Sequence, residues 1–243
     1  MILFDIDGTL TRTQNGYLPF NEAILQTFGI AGDIRTVVPD GNTDPLIVKD
    51  IFVKAQVSMA IDDDDWTRFP ANLQSCYERH VQQGSTTVRA LPGALGLLRA
   101  LAEHNGLGIS VVTGNLEVAA QVKLQAAGLF PDLSRGADAS DSAYRQDLPA
   151  IAKDRWEQLV GRTVRCGDCV VIGDTPKDLA AAWDNDMRTC RPWALSGRRA
   201  CVLATGRLSG GSMRYPGGAD DTYKLVTIAG GQSCNIEPSE KRV

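Results

Sequence analysis

A chain of 243 residues with 43% hydrophobic and 22% charged residues has the make-up of a folded globular protein, one large domain or a core with one accessory module, and not of a disordered or collagen-like chain. Its 25 Lys and Arg against 29 Asp and Glu give a formal charge of −4, and no basic run suited to a phosphate backbone occurs, so nucleic acid is not an expected partner. No apolar stretch approaches the roughly 18 residues of a membrane helix, and only Met1-Ile2-Leu3-Phe4 precede Asp5, so a cytoplasmic protein without a membrane partner is expected.

In chain order, Ile2 to Phe4 reads as a short buried strand. Thr13 to Val88 follows as a run of helices, Asn21 to Phe28, Pro45 to Ala55 and Trp66 to Gln82, with no clear strand among them. The turn signal Leu91-Pro92-Gly93 closes this insertion. Helix-length segments at Leu95 to Glu103, Glu117 to Ala127 and Ala150 to Leu159 then alternate with apolar runs at Ile109 to Val112, Val170 to Ile172 and Cys201 to Ala204. Gly128 stands where a helix would end. Strand and helix in alternation predict an α/β parallel sheet with right-handed crossovers. Beyond about Gly206 the pattern degrades into Gly-rich and polar sequence, with one weak apolar patch at Leu225 to Ala229. Cys166 and Cys169 have CxxC spacing, but no second pair stands at zinc-ribbon distance, so ordinary thiols are expected.

In an open parallel sheet, ligands bind beyond the carboxyl ends of the strands. Those ends read Asp5-Ile6-Asp7-Gly8-Thr9, Thr113-Gly114-Asn115, and Gly173-Asp174-Thr175-Pro176 with Asp178 just after. Asp5, Asp7, Asp174 and Asp178 on one rim would repel one another in a partly dehydrated cleft, so a compensating cation is needed. Hard oxygen ligands point to Mg²⁺, which commonly binds one or two carboxylates together with substrate phosphate. Lys123 supplies a second positive group for a transferring phosphoryl. One acid of the Asp5/Asp7 pair can attack while the other handles protons.

These motifs together resemble the haloacid dehalogenase superfamily, and within it the phosphoglycolate-phosphatase-like members with a helical cap. The resemblance covers most of residues 1 to about 190 and rests on Phe4 to Leu10, Val112 to Asn115, Lys123-Leu124 with Ala127-Gly128-Leu129, and Val171 to Pro176 with Asp178. Gly41-Asn42-Thr43-Asp44-Pro45, Gly136 to Arg145 and Gly218-Ala219-Asp220 are similar to further family stretches. The resemblance implies a Rossmann-like core from residues 1–14 and 89–243, interrupted by a helical cap at 15–88. It also implies a Mg²⁺-dependent phosphatase acting on a small organic phosphomonoester, with phosphoglycolate the leading candidate, through an aspartyl phosphate. Asp5 would be the nucleophile and Asp7 the general acid/base. Thr113, Gly114, Asn115 and Lys123 would hold the phosphoryl group, with Lys123 bridging it to the nucleophile. The metal set would be Asp5, Asp7 through its carbonyl, Asp174 and Asp178, the last in support.

Other readings stay open at this stage: a phosphomutase or dehalogenase of the same fold, a signalling or catalytically silent phosphate binder, and either a monomer or a homodimer. Asp7 speaks against a dehalogenase, which needs no acid for halide. The sequence after Ala182 departs from the family pattern, and the far edge of the sheet is the least defined part.

Overall fold

The computed structural model describes residues 1–57, 63–129, 136–195, 198–204 and 224–226. Strand β1 (Ile2–Phe4) lies between β4 (Ile109–Val111) and β5 (Val170–Ile172), parallel to both, with Phe4 opposite Val111 and Ile172. Three consecutive apolar residues in β1 and β5, and a fully buried Ser110 between Ile109 and Val111 in β4, fit a sheet covered on both faces. Side chains alternate accordingly. Phe4, Val111 and Ile172 pack with Ala94, Leu98 and Leu101 of α4 (Ala94–Ala102) and with Ala120 and Leu124 of α5 (Glu117–Ala126). Leu3 and Val171 face the other way, onto Leu148 and Ala152 of α6 (Leu148–Val160) and Ala182 of α7 (Pro176–Asp184). Gly128, at φ +68°, closes α5 as the sequence predicts.

The sheet has six strands in the order β4-β1-β5-β6-β7-β8, where β6 is Arg188–Leu195, β7 Arg198–Ala204 and β8 Lys224–Val226. Two sequence expectations are corrected here. Cys201 to Ala204 is not a parallel strand: β7 runs antiparallel to β6, and β6 itself, RTCRPWAL, carries no apolar run to announce it. The physical reason is connection length, because only residues 196 and 197 separate the two strands. A link that short makes a hairpin, whereas a parallel crossover needs a dozen residues or more. The Gly218 to Asp220 stretch lies outside the described residues, as do the Gly-rich segment before it and the polar tail.

The second correction concerns the insertion. It is flanked by a ribbon of two antiparallel strands, β2 (Thr11–Gln14) and β3 (Thr87–Ala90), paired from Thr11 opposite Ala90 to Gln14 opposite Thr87. TRTQ and TVRA are mostly polar, so hydrophobic periodicity passes them over. Between them stand α1 (Tyr17–Phe28), α2 (Asp44–Lys54) and α3 (Asp63–Gln82). These helices enclose their own aromatic core: Phe28 lies 5.1 Å from Phe52 and 5.5 Å from Phe69, and Trp66 meets Phe69 edge-on at 6.0 Å. Leu116, Ala119 and Val122 join that cluster, so α5 serves both cores. Among the described residues no helix is long and apolar enough to cross a membrane.

Candidate active site

The loop after β1 is held by its backbone. Leu10 and Thr11 donate their N–H groups to the Ile6 carbonyl, and Gly8 takes φ +79° with its N–H on the Thr11 carbonyl. A Cβ at Gly8 would fall on the Asp174 carboxylate, so glycine here both permits the turn and lets β5's end approach β1's end. The resulting cavity, of about 300 Å³, is lined from below by Asp5, Asp7, Thr113, Gly114, Asn115, Lys123, Arg145 and Asp174, and from above by the insertion.

Asp5 and Asp178 are both buried and share one cation. Arg145 donates from Nη2 to Asp5 Oδ1 at 2.7 Å, from Nε to Asp178 Oδ1 at 3.0 Å, and from Nη2 to Asp178 as well. The other Asp178 oxygen accepts from Thr175 N at 3.0 Å and Thr175 Oγ1 at 2.6 Å, which also caps α7. Burial pushes the Asp5 carboxyl up to about 8, with Asp178 and Asp7 adding repulsion and Arg145 opposing. The same two acids hold the Arg145 guanidinium above its ordinary value against the pull of burial.

Asp7 belongs to a second network. Lys123 Nζ donates to Asp7 Oδ2 at 2.7 Å and to Asn115 Oδ1 at 2.6 Å, while Asn115 Nδ2 donates to Asp7 Oδ2 at 2.8 Å and to Thr113 Oγ1 at 2.7 Å. Burial by itself would raise Asp7, but the Lys123 charge and bonds from Lys123, Asn115 and Thr13 hold it below the usual carboxylate value. Thr113 is fully buried, and its Oγ1 accepts from both the Asn115 side chain and the Asn115 N–H at 3.2 Å. Its own O–H therefore has no acceptor among the described residues and stands ready for an anion.

The acids Asp5, Asp174 and Asp178 each place a carboxylate oxygen within 4.8 Å of the others, the spacing of a cation site. Asp178 fits it least, because both its oxygens are engaged, Oδ1 by Arg145 and Oδ2 by Thr175, whereas Arg145 meets Asp5 through Oδ1. The donor set is all carboxylate oxygen, with no His or Cys, and suits a hard divalent ion.

The structure thus brings together Asp5, Asp7, Thr113, Gly114, Asn115, Lys123, Asp174 and Asp178. One arrangement differs from expectation: Lys123 reaches Asp7 and Asn115, and the cation on Asp5 is Arg145. Arg145 was legible only as the end of a family-like stretch, because it opens a short 3₁₀ turn, Arg145–Asp147, far from any strand end. Asp44 was also missed as a site residue. It is buried at the start of α2, accepts the Leu116 N–H at Oδ2 at 2.7 Å, and donates its own N–H to the Gly114 carbonyl at 2.7 Å. Burial pushes its carboxyl up to about 7, with Lys123 and the Leu116 N–H opposing.

Residues 1–183 match the family model described as hydrolase, haloacid dehalogenase-like hydrolase. Among solved structures, a hydrolase from Pseudomonas syringae is similar at 26% identity and a TM-score of 0.53, over 77% of this chain and 82% of that one. A predicted phosphoglycolate phosphatase from Haemophilus somnus shares 20% identity and a TM-score of 0.55, over 78% and 83%. CbbY from Rhodobacter sphaeroides, in complex with phosphate, shares 18% identity and a TM-score of 0.55, over 80% and 86%. The last two likenesses are of fold alone. No curated protein matches the chain.

Proposed function

The chain belongs to the haloacid dehalogenase-like hydrolase family, and on that footing we propose that it is a Mg²⁺-dependent phosphatase that hydrolyses a small organic phosphomonoester through an aspartyl phosphate on Asp5. The observation that carries this reading is the convergence of buried Asp5, the Asp7–Lys123–Asn115 network and the unspent Thr113 hydroxyl on one cavity.

Asp5, the Asp7 carbonyl and Asp174 would hold the metal, with Asp178 fixing Arg145 behind them. When bound, the ion supplies positive charge beside Asp5, a carboxyl that burial otherwise keeps protonated near neutral pH. Thr113 Oγ and the Gly114 N–H bind the phosphoryl oxygens. Arg145 orients Asp5 through their 2.7 Å bond. An Asp5 oxygen attacks phosphorus, the bond from phosphorus to the ester oxygen breaks, and that oxygen takes a proton from Asp7. A water then attacks the phosphorus of the acyl phosphate and gives its proton to Asp7, which returns Asp5 as a carboxylate and releases inorganic phosphate. Lys123 holds Asp7 as an anion at rest; a phosphoryl dianion competing for that ammonium raises the proton affinity of Asp7, which takes a proton from solvent before the first step and regains one from the attacking water in the second. The insertion acts as a cap that shields the acyl phosphate from bulk water.

The test is phosphate release from p-nitrophenyl phosphate with Mg²⁺, with EDTA, and with Asp5→Asn. Release is expected to need the metal and to fall by at least about 10⁴-fold in the variant. Release that survives Asp5→Asn would sink the covalent mechanism.

A further inference from the structure

Phosphate esters differ in what leaves with the oxygen, and the upper half of the cavity bears on that choice. The cations among its described lining residues are Lys123 and Arg145, and both are already engaged by carboxylates at the phosphoryl end. The insertion contributes Phe20, Ile34, Ile47 and Tyr77, together with the acids Asp40 and Asp44. Asp44 is buried, and only its Oδ2 is matched, by the Leu116 N–H. Among the described residues its Oδ1 has no hydrogen-bond donor, so above about pH 7, where the carboxyl is ionised, an open acceptor stands beside Phe20, Ile34, Ile47 and Tyr77. A buried acceptor of this kind favours a ligand that brings a hydrogen, and it penalises one that brings a second negative charge.

Building on the phosphatase reading, we propose that the alcohol released by this enzyme carries no anion and presents a hydrogen-bond donor, a hydroxyl or an ammonium, to Asp44. Glycolate, whose carboxylate would lie beside Asp40 and Asp44 where the cation within reach, Lys123, is already bound by Asp7 and Asn115, is then a poor leaving group, and bisphosphates are poor for the same reason. The inference departs from the phosphoglycolate expectation of the sequence, because the residues that impose it come from the insertion and not from the motifs.

Four two-carbon esters differ only in the substituents on the second carbon: 2-hydroxyethyl phosphate, 2-aminoethyl phosphate, ethyl phosphate and phosphoglycolate, each measured for Asp5-dependent kcat/KM with Mg²⁺ about one pH unit above the Asp44 value, where its carboxyl is ionised. The hydroxyl and amino esters are expected to exceed phosphoglycolate by at least about tenfold, with ethyl phosphate between them. Asp40 is exposed at the rim and can be changed without disturbing the core, and Asp40→Lys is expected to narrow the gap by raising the value for phosphoglycolate. Phosphoglycolate as the best of the four, or a gap unmoved by Asp40→Lys, overturns the proposal and leaves the phosphatase standing. Absence of Asp5-dependent release from all four, and from p-nitrophenyl phosphate, overturns the phosphatase reading and this proposal with it.

Discussion

The floor and the roof of the cavity are built on opposite electrostatic plans. Below, the acids at the strand ends meet cations or donors: Arg145 between Asp5 and Asp178, Lys123 between Asp7 and Asn115. Above, Phe20, Ile34, Ile47 and Tyr77 stand with two acids, Asp40 and Asp44, and the cation whose charge reaches Asp44, Lys123, is already bound by Asp7 and Asn115 of the floor. The floor invests its charge in fixing geometry, since Arg145, Asp178, Asp7 and Lys123 are each held by more than one partner and have little freedom to reorient. The roof leaves its polar capacity open. On the proposed reading, the chemical step belongs to the sheet and the choice of alcohol to the insertion.

The contrast is broken most severely by emptying the floor of a cation. Arg145→Met would leave Asp5 and Asp178 facing each other in a buried site, and a loss of about 3–5 kcal/mol is expected. Urea unfolding checks this as a lower midpoint at unchanged slope. A variant as stable as the parent would show that the pair of acids is met by something other than Arg145.

The seam between floor and roof is tested by Gly114→Ala. A Cβ there would fall on the Asn42 carbonyl, so the loop ahead of α2 must withdraw from the strand ends. Overpacking of this kind costs about 1–3 kcal/mol. Loosening the roof should also raise KM for a good ester more than it lowers kcat. Equal changes in both would mean that the roof takes part in the chemical step.

The smallest effect is read through pH. Asp44 has an ordinary value of 3.8 and is pushed up to about 7 in the folded chain. Between those values the folded protein keeps a proton that the unfolded chain has released, so this group makes folding less favourable as pH rises through the window. Asp44→Asn removes that dependence. The variant should therefore gain melting temperature relative to the parent from pH 5 to pH 8, at about 2–4 °C for each kcal/mol recovered. A difference that stays constant with pH would place Asp44 in contact with water.

The sequence was most informative where function sits in consecutive residues at the end of an apolar run. Asp5 to Gly8, Thr113 to Asn115 and Gly173 to Asp178 are of this kind, because a strand end fixes both position and direction. Arg145 was hidden for the opposite reason. It meets Asp5 across 140 positions and Asp178 across 33, and no local pattern encodes that convergence. Asp44 was visible as part of a family-like stretch but not as a buried acceptor, since burial depends on where α2 docks. The β6–β7 hairpin was lost because β6 mixes polar and apolar residues and is interrupted by Pro192, so the apolar run of β7 was left without its partner.

The ribbon of β2 and β3 carries a consequence for engineering. Gln14 and Thr87 are direct partners in its register, so the chain leaves the sheet domain and returns to it at neighbouring points. A two-residue Asn-Gly turn spans such a pair, which makes the intervening helices a cassette that can be exchanged without re-registering β1 or α4. The boundary is not free of cost, because Leu116 at the N-cap of α5 and Ala119 and Val122 on it belong to the aromatic cluster of the cassette and would be uncovered by its removal. Any replacement module must therefore bring an apolar patch of its own to cover that one helical face.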